Sequence, residues 1–149
     1  MEIPSEMLKS IFEQAQAQYP HECCGMILGP KENPKVLTAL RPCQNVQDEY
    51  HAKDPVNFPR TAETAYFMDP RELLEIQKSA RDSGQAIRVL YHSHVDHGAY
   101  FSEEDKRVAL QEGEPAWPGV SYLVVSVIQG QAKDHHLFCW DPHKKDFLS

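Results

Sequence analysis

Residues 88–105 read RVLYHSHVDHGAYFSEED, and the order of side chains in this stretch decides how the rest of the chain is read. Ile87 to His94 is apolar, rich in strand formers and free of breakers, so it is expected to be a β-strand. Alternate side chains of a strand leave on opposite faces, so His92 and His94 share one face and can present two imidazoles to the same ion. Seven residues later, Ser102-Glu103-Glu104-Asp105 opens a helical pattern, predicted over Ser102–Gln111. A connection of that length can swing the first helical turn back over the strand end and bring a carboxylate to the two histidines. Two His and one carboxylate leave a fourth coordination position open, as a catalytic zinc site requires; a structural site is closed by four protein ligands. Each part also has a plain reading. An H-x-H pair can be two polar residues on a half-exposed strand face, and Ser102 with Asp105 is a capping box in its own right.

Outward from this stretch the chain alternates helices and strands. Ser5 to Tyr19 places Met7, Leu8, Ile11, Phe12, Ala15 and Tyr19 at helical spacing, with Ser5 as the expected cap and Pro20 as the stop. Cys23–Leu28 and Lys35–Cys43 read as neighbouring strands of a hairpin around Gly29-Pro30. Gln44 to Pro59 is polar and reads as a loop, and Ala65–Met68 as a short strand. Pro70 to Ser83 is a helix with Asp69 as cap, Pro70 at the first position and Gly84 at the end. Val120–Ile128 is a buried strand, and Ala132–Trp140 another beyond a turn at Gly130. The pattern predicts an α/β (α+β) fold, a central mixed β-sheet flanked by helices. With no repeat or linker in the chain, residues 1–149 read as a single domain.

Composition closes off other classes. With 15 Lys plus Arg against 22 Asp plus Glu, the net charge is −7, and no basic cluster exceeds Lys144-Lys145. Nucleic acid is not an expected partner. The apolar run Tyr122–Ile128 is far shorter than the roughly 20 residues of a membrane span. The start has no basic and apolar leader pattern, so a cytoplasmic location and free thiols are expected. Cys23 and Cys24 are adjacent and match no C-x-x-C spacing; with Cys43 and Cys139 they read as buried thiols. Of the eight histidines, His135 and His136 point to opposite faces and cannot grip one ion together. His97 is an alternative third ligand to Asp105.

An early glutamate completes a larger pattern. In Pro20-His21-Glu22-Cys23-Cys24-Gly25-Met26-Ile27-Leu28-Gly29, Glu22 precedes a strand, and Glu22 … His92-Ser93-His94-x7-Ser102-x2-Asp105 resembles the JAMM motif of the MPN family of zinc metalloproteases and isopeptidases. The E-x-x-G-x-x-x-G strand and the Asp69-Pro70 helix follow that family's order over nearly the whole chain. The compact form, with PHECCG and YHSHxDHxAYFS, is similar to the small prokaryotic members. Val95 and Phe101 stand where many relatives carry proline.

The resemblance implies a cytidine-deaminase-like MPN fold, one zinc ion per chain on His92, His94 and Asp105, Glu22 as general base and acid, and Ser102 as donor to the developing oxyanion. It implies cleavage after the C-terminal diglycine of a ubiquitin-like sulfur-carrier protein of the ThiS or MoaD type, by a monomer or homodimer. Tyr100, Phe101 and His97, between the ligands, are the expected groove-lining residues. Ser93 should point away from the ligands and bond across the sheet. The competing functions are a zinc hydrolase of another amide, a zinc deaminase and a non-catalytic MPN scaffold. The deaminase signature H-x-E with P-C-x-x-C is absent, and the intact motif speaks against the scaffold.

Overall fold

The computed structural model describes residues 1–149. Its helices are α1 (Ser5–Gln18), α2 (Gln47–Lys53), α3 (Pro70–Asp82) and α4 (Glu103–Ala109), and its strands β1 (Cys24–Pro30), β2 (Ala39–Cys43), β3 (Gln85–Val95), β4 (Leu110–Gln111), β5 (Glu114–Pro115), β6 (Ser121–Ile128), β7 (Gln131–Asp141) and β8 (Asp146–Leu148). Six strands form one sheet in the order β2-β1-β3-β6-β7-β8, and β4 and β5 form a separate hairpin. β3 and β6 are parallel and every other pairing in the sheet is antiparallel. A parallel pair needs a crossover, and here the crossover is the segment that carries α4. No helix is long and apolar enough to cross a membrane.

Strand alternation splits the core between the two faces. Val89 and Tyr91 of β3 and Leu123, Val125 and Val127 of β6 pack with Ile11 and Ala15 of α1. Leu90 of β3 and Tyr122 and Val124 of β6 pack with Ile76 and Ala80 of α3 and Ala109 of α4. His92 and His94 continue the second face of β3 beyond Leu90, which aims both imidazoles toward the α4 side. Gly25 is required on the first face: a Cβ there would overlap the Tyr91 ring. Tyr91 in turn donates its hydroxyl to Gln14 Oε1 at 2.5 Å, and Gln14 Nε2 donates to the Cys24 carbonyl at 3.0 Å, which ties α1 to the sheet.

Several expectations are corrected. Ser5 is the first helical residue, and the capping position is Pro4, which offers no side-chain bond. The polar stretch 44–59 contains α2, a helix that buries little beyond Val46 and Gln47. Tyr50 of α2 joins Phe58 and Phe67 in an aromatic cluster with ring centres 4.8–5.2 Å apart. The second strand begins at Ala39, so residues 35–38 lie outside it. The expected strand at 65–68 is reduced to one bridge between Asn45 and Met68. Cys23, Cys24 and Cys43 are buried free thiols, but Cys139 is exposed. Its side of β7 meets α1 nearer the other end, where Ala132 N–H bonds Gln16 and His135 packs on Phe12.

Candidate active site

His92 and His94 stand near the C-terminal end of β3, with Asp105 in the first turn of α4. His92 Nε2 and His94 Nε2 are 3.3 Å apart. Asp105 meets both, its Oδ1 3.1 Å from His92 Nε2 and its Oδ2 3.0 Å from His94 Nε2. One ligand atom from each residue lies within 4.8 Å of the others, and both histidines are buried. The capping box exists as well. Ser102 Oγ accepts from Asp105 N–H, and Asp105 Oδ2 accepts from Ser102 N–H, each at 3.0 Å. The two readings of this turn therefore describe one structure: the cap is what orients the carboxylate toward the histidines.

The donor set fits a divalent cation. His94 Nδ1 lies 2.8 Å from the Gly98 carbonyl, which can only accept, so Nδ1 carries the hydrogen. With Nε2 deprotonated, as a metal ligand must be, its lone pair would face an Asp105 oxygen and the other imidazole, a convergence of acceptors that a cation among them resolves. Tethering of the second ring nitrogen is the usual support for a metal-binding His. His92 departs from it, since its buried Nδ1 has no partner; its ring is held by Tyr66, stacked at 4.5 Å. Burial opposes ionisation of Asp105, but His92, His94 and the Ser102 N–H outweigh it and hold the carboxyl well below its usual range.

Glu22 lies two residues before Cys24, whose neighbour across the sheet is His92. It is 3% exposed and opens on the same cavity, of about 910 Å³, as His94, Ser102 and Asp105. Burial, then the charge of Asp105, raises Glu22 to about 9, with Arg60 pulling the other way. In the metal-free protein the carboxyl therefore keeps its proton at neutral pH, and a cation held by His92, His94 and Asp105 on the same cavity would favour the carboxylate. Both forms needed by a group that takes up and returns a proton are thus within reach.

The remaining expected site residues divide. His97 and Tyr100 line the cavity, with the His97 ring stacked on His94 at 4.2 Å. Phe101 does not. It is 8% exposed and packs on Tyr122, Phe138 and Phe147 at 5.0–5.4 Å, because the chain turns it into the core just before the α4 cap. Phe101→Ala should cost about 3–5 kcal/mol of stability by opening a cavity, read as a lower denaturation midpoint. Phe101→Leu, which fills most of that space, should leave KM unchanged; a raised KM would return Phe101 to the groove. Ser93 behaves as expected, since its Oγ accepts from Cys23 N–H at 2.7 Å and its own N–H donates to the Cys23 carbonyl at 3.1 Å. His21 is a surface residue, 3.9 Å from Asp48. Tyr66, Phe58 and Arg60 also line the cavity and carried no signal in the sequence; their place follows from how residues 54–67 fold over the site.

A histidine pair at a strand end, a capped carboxylate across from it and a buried glutamate on the same cavity define the class, a JAMM-type hydrolase domain. A family model described as prokaryotic homologs of the JAB domain matches residues 4–141, and the chain belongs to that family. The CysO-cysteine peptidase of Mycobacterium tuberculosis is 25% identical over 147 residues, covering 99% of this chain and 79% of that protein. The desampylase of Haloferax volcanii is 31% identical over 114 residues, 76% of this chain and 68% of that protein. Among solved structures, a JAB1/MPN domain protein from Archaeoglobus fulgidus aligns with a TM-score of 0.54 at 17% identity, over 100% of this chain and 95% of that one. It shares the fold. With family and relatives taken together, the chain is a hydrolase of the peptidase kind.

Proposed function

We propose that this chain, as a single domain, is a zinc-dependent peptidase. Its substrate is the peptide or isopeptide bond after the C-terminal diglycine of a ubiquitin-like sulfur carrier of the ThiS or MoaD type. The observation that carries the reading is the convergence of His92, His94 and Asp105 on one point, with Glu22 facing the same cavity. The names of the mycobacterial and haloarchaeal relatives support a ubiquitin-like substrate.

His92, His94 and Asp105 hold the metal in this reading. A zinc ion bound there supplies Lewis acidity, which lowers the pKa of water toward about 7 and polarises a carbonyl. Glu22 takes the proton from the attacking water and returns it to the departing amine nitrogen. Its burial keeps bulk water from competing for that proton. Ser102 Oγ uses a lone pair to accept from Asp105 N–H, so its hydroxyl hydrogen is free to donate to the substrate oxygen as charge develops. A fixed donor of that kind contributes about 3 kcal/mol to the transition state. His97 and Tyr100 flank the groove, where a glycine tail can lie extended and larger side chains collide.

The test is a carrier of this type joined through its diglycine to a reporter protein and incubated with the zinc-loaded enzyme. Mass spectrometry should find a single cut after the second glycine. Replacing the diglycine by two valines should slow cleavage about 100-fold. A cut elsewhere, or equal rates for both fusions, overturns the substrate assignment.

A further inference from the structure

Glu22 is outside the sheet, so the regular ladder of β1 does not place it. Its two backbone polar groups are instead held by residues far along the chain. The Glu22 N–H donates to the Ala62 carbonyl at 2.7 Å, and its carbonyl accepts from Asn45 Nδ2 at 2.9 Å. Asn45 uses its whole hydrogen-bonding capacity. Nδ2 also donates to the Ala65 carbonyl at 3.2 Å, and Oδ1 accepts from the N–H groups of Gln47 and Phe67, both at 3.0 Å. Two partners are carbonyls and two are N–H groups, so only one amide orientation satisfies all four.

The other anchor of Glu22 depends on the same turn. Ala62 N–H donates to Asp48 Oδ1 at 2.7 Å, and Gln47 Nε2 donates to the Arg60 carbonyl at 2.9 Å. The entry to α2 thus holds residues 60–67, and both hold Glu22. We propose that Asn45 is a positioning residue for the proton-transfer step, its amide joining the Glu22 backbone to the start of α2 and to residues 65–67 so that the Glu22 carboxylate stays in register with the His92-His94-Asp105 group. This rests on Glu22 being the proton carrier proposed above.

The geometry sets what each substitution does. Asn45→Ala removes all four bonds. Asn45→Asp keeps both acceptor bonds, so the turn into α2 stays closed, but sets an oxygen against the Glu22 and Ala65 carbonyls. A misplacement of about 1 Å in a reacting group costs about 100-fold in rate. Both variants should therefore lose about 100-fold in kcat on the diglycine fusion, with KM near that of the wild type and zinc still bound at about one per chain. In the metal-free protein the Glu22 amide should exchange its hydrogen faster. The decisive measurement is the double variant: Glu22→Gln with Asn45→Ala should lose clearly less than the two single losses multiplied, because the share of the Asn45 effect that runs through Glu22 is already gone. Only the share that runs through Tyr66, which residues 65 and 67 hold against His92, remains.

Additive losses in the double variant, or a wild-type kcat in Asn45→Asp, overturn the proposal. Should Asn45→Ala not fold, Asn45→Asp carries both the single and the double test. Full activity in Glu22→Gln alone overturns the role of Glu22 and this inference with it. Full activity in the Asn45 variants beside an inactive Glu22→Gln overturns only the inference.

Discussion

Glu22→Gln is expected to keep about one zinc per chain and to lower kcat on the diglycine fusion about 10³- to 10⁴-fold, the upper part of the range for a general acid and base. The substitution preserves shape and leaves the backbone bonds to Ala62 and Asn45 in place, but an amide cannot take a proton from water and pass it on. A second readout follows from burial. In the metal-free protein Glu22 is raised from its ordinary value of 4.5 to about 9, so the folded chain keeps a proton that the unfolded chain releases. The sign is that of a raised acid: the wild type loses stability as pH rises from about 5 toward 8, and the neutral glutamine does not. Metal-free Glu22→Gln should therefore melt higher than metal-free wild type, by a margin that widens over that interval. A variant that still turns over near the wild-type rate contradicts the assigned mechanism; a margin that shrinks with pH contradicts the burial argument.

The parts of this molecule that could be read from sequence are those set by local periodicity and capping. Strand alternation was enough to put His92 and His94 on one face, and the S-x-x-D cap was enough to start α4 and fix Asp105. Asp69 before Pro70 marked the start of α3 in the same way. What escaped depends on contacts distant in sequence. The polar segment after Cys43 gave no sign of a helix, because α2 is short and its aromatic Tyr50 is satisfied by Phe58 and Phe67 from outside it. Phe101 looked free to line a groove because the core that claims it comes from β6, β7 and β8. Asn45 reads as an ordinary turn residue; its four partners at 22, 47, 65 and 67 make it a junction. The candidate site was legible because each of His92, His94 and Asp105 sits on a regular element. The device that places Glu22 was hidden because it lies in the irregular stretch between elements.

The third ligand is where sequence left two candidates, and replacing Asp105 separates them. Asp105→Asn can still accept from Ser102 N–H and keep the cap, so α4 should stay intact while the negative charge disappears. Zinc affinity should then fall by more than about 100-fold, beyond the effect of altering a residue outside the coordination sphere, and activity should fall with it. Asp105→Ala also loses the reciprocal bond from Ser102 N–H, while the bond from the residue-105 N–H to Ser102 Oγ remains, adding about 1 kcal/mol of destabilisation. The readout is thermal: zinc at about a thousand times its dissociation constant adds about 4 kcal/mol to the stability of the wild type, and the variants should lose most of that increment. His97 is the residue that would contradict this by holding the ion in place of Asp105. Its ring is stacked on His94, the planes 25° apart and the centres 4.2 Å apart, and the group whose ligand atoms converge within 4.8 Å of one another is His92, His94 and Asp105, without His97. A zinc-dependent rise in melting temperature that survives in Asp105→Ala and disappears only when His97 is also replaced would transfer the third position to His97. With Asp105 as the ligand, His97→Ala alone should leave the zinc-dependent rise as it is in the wild type.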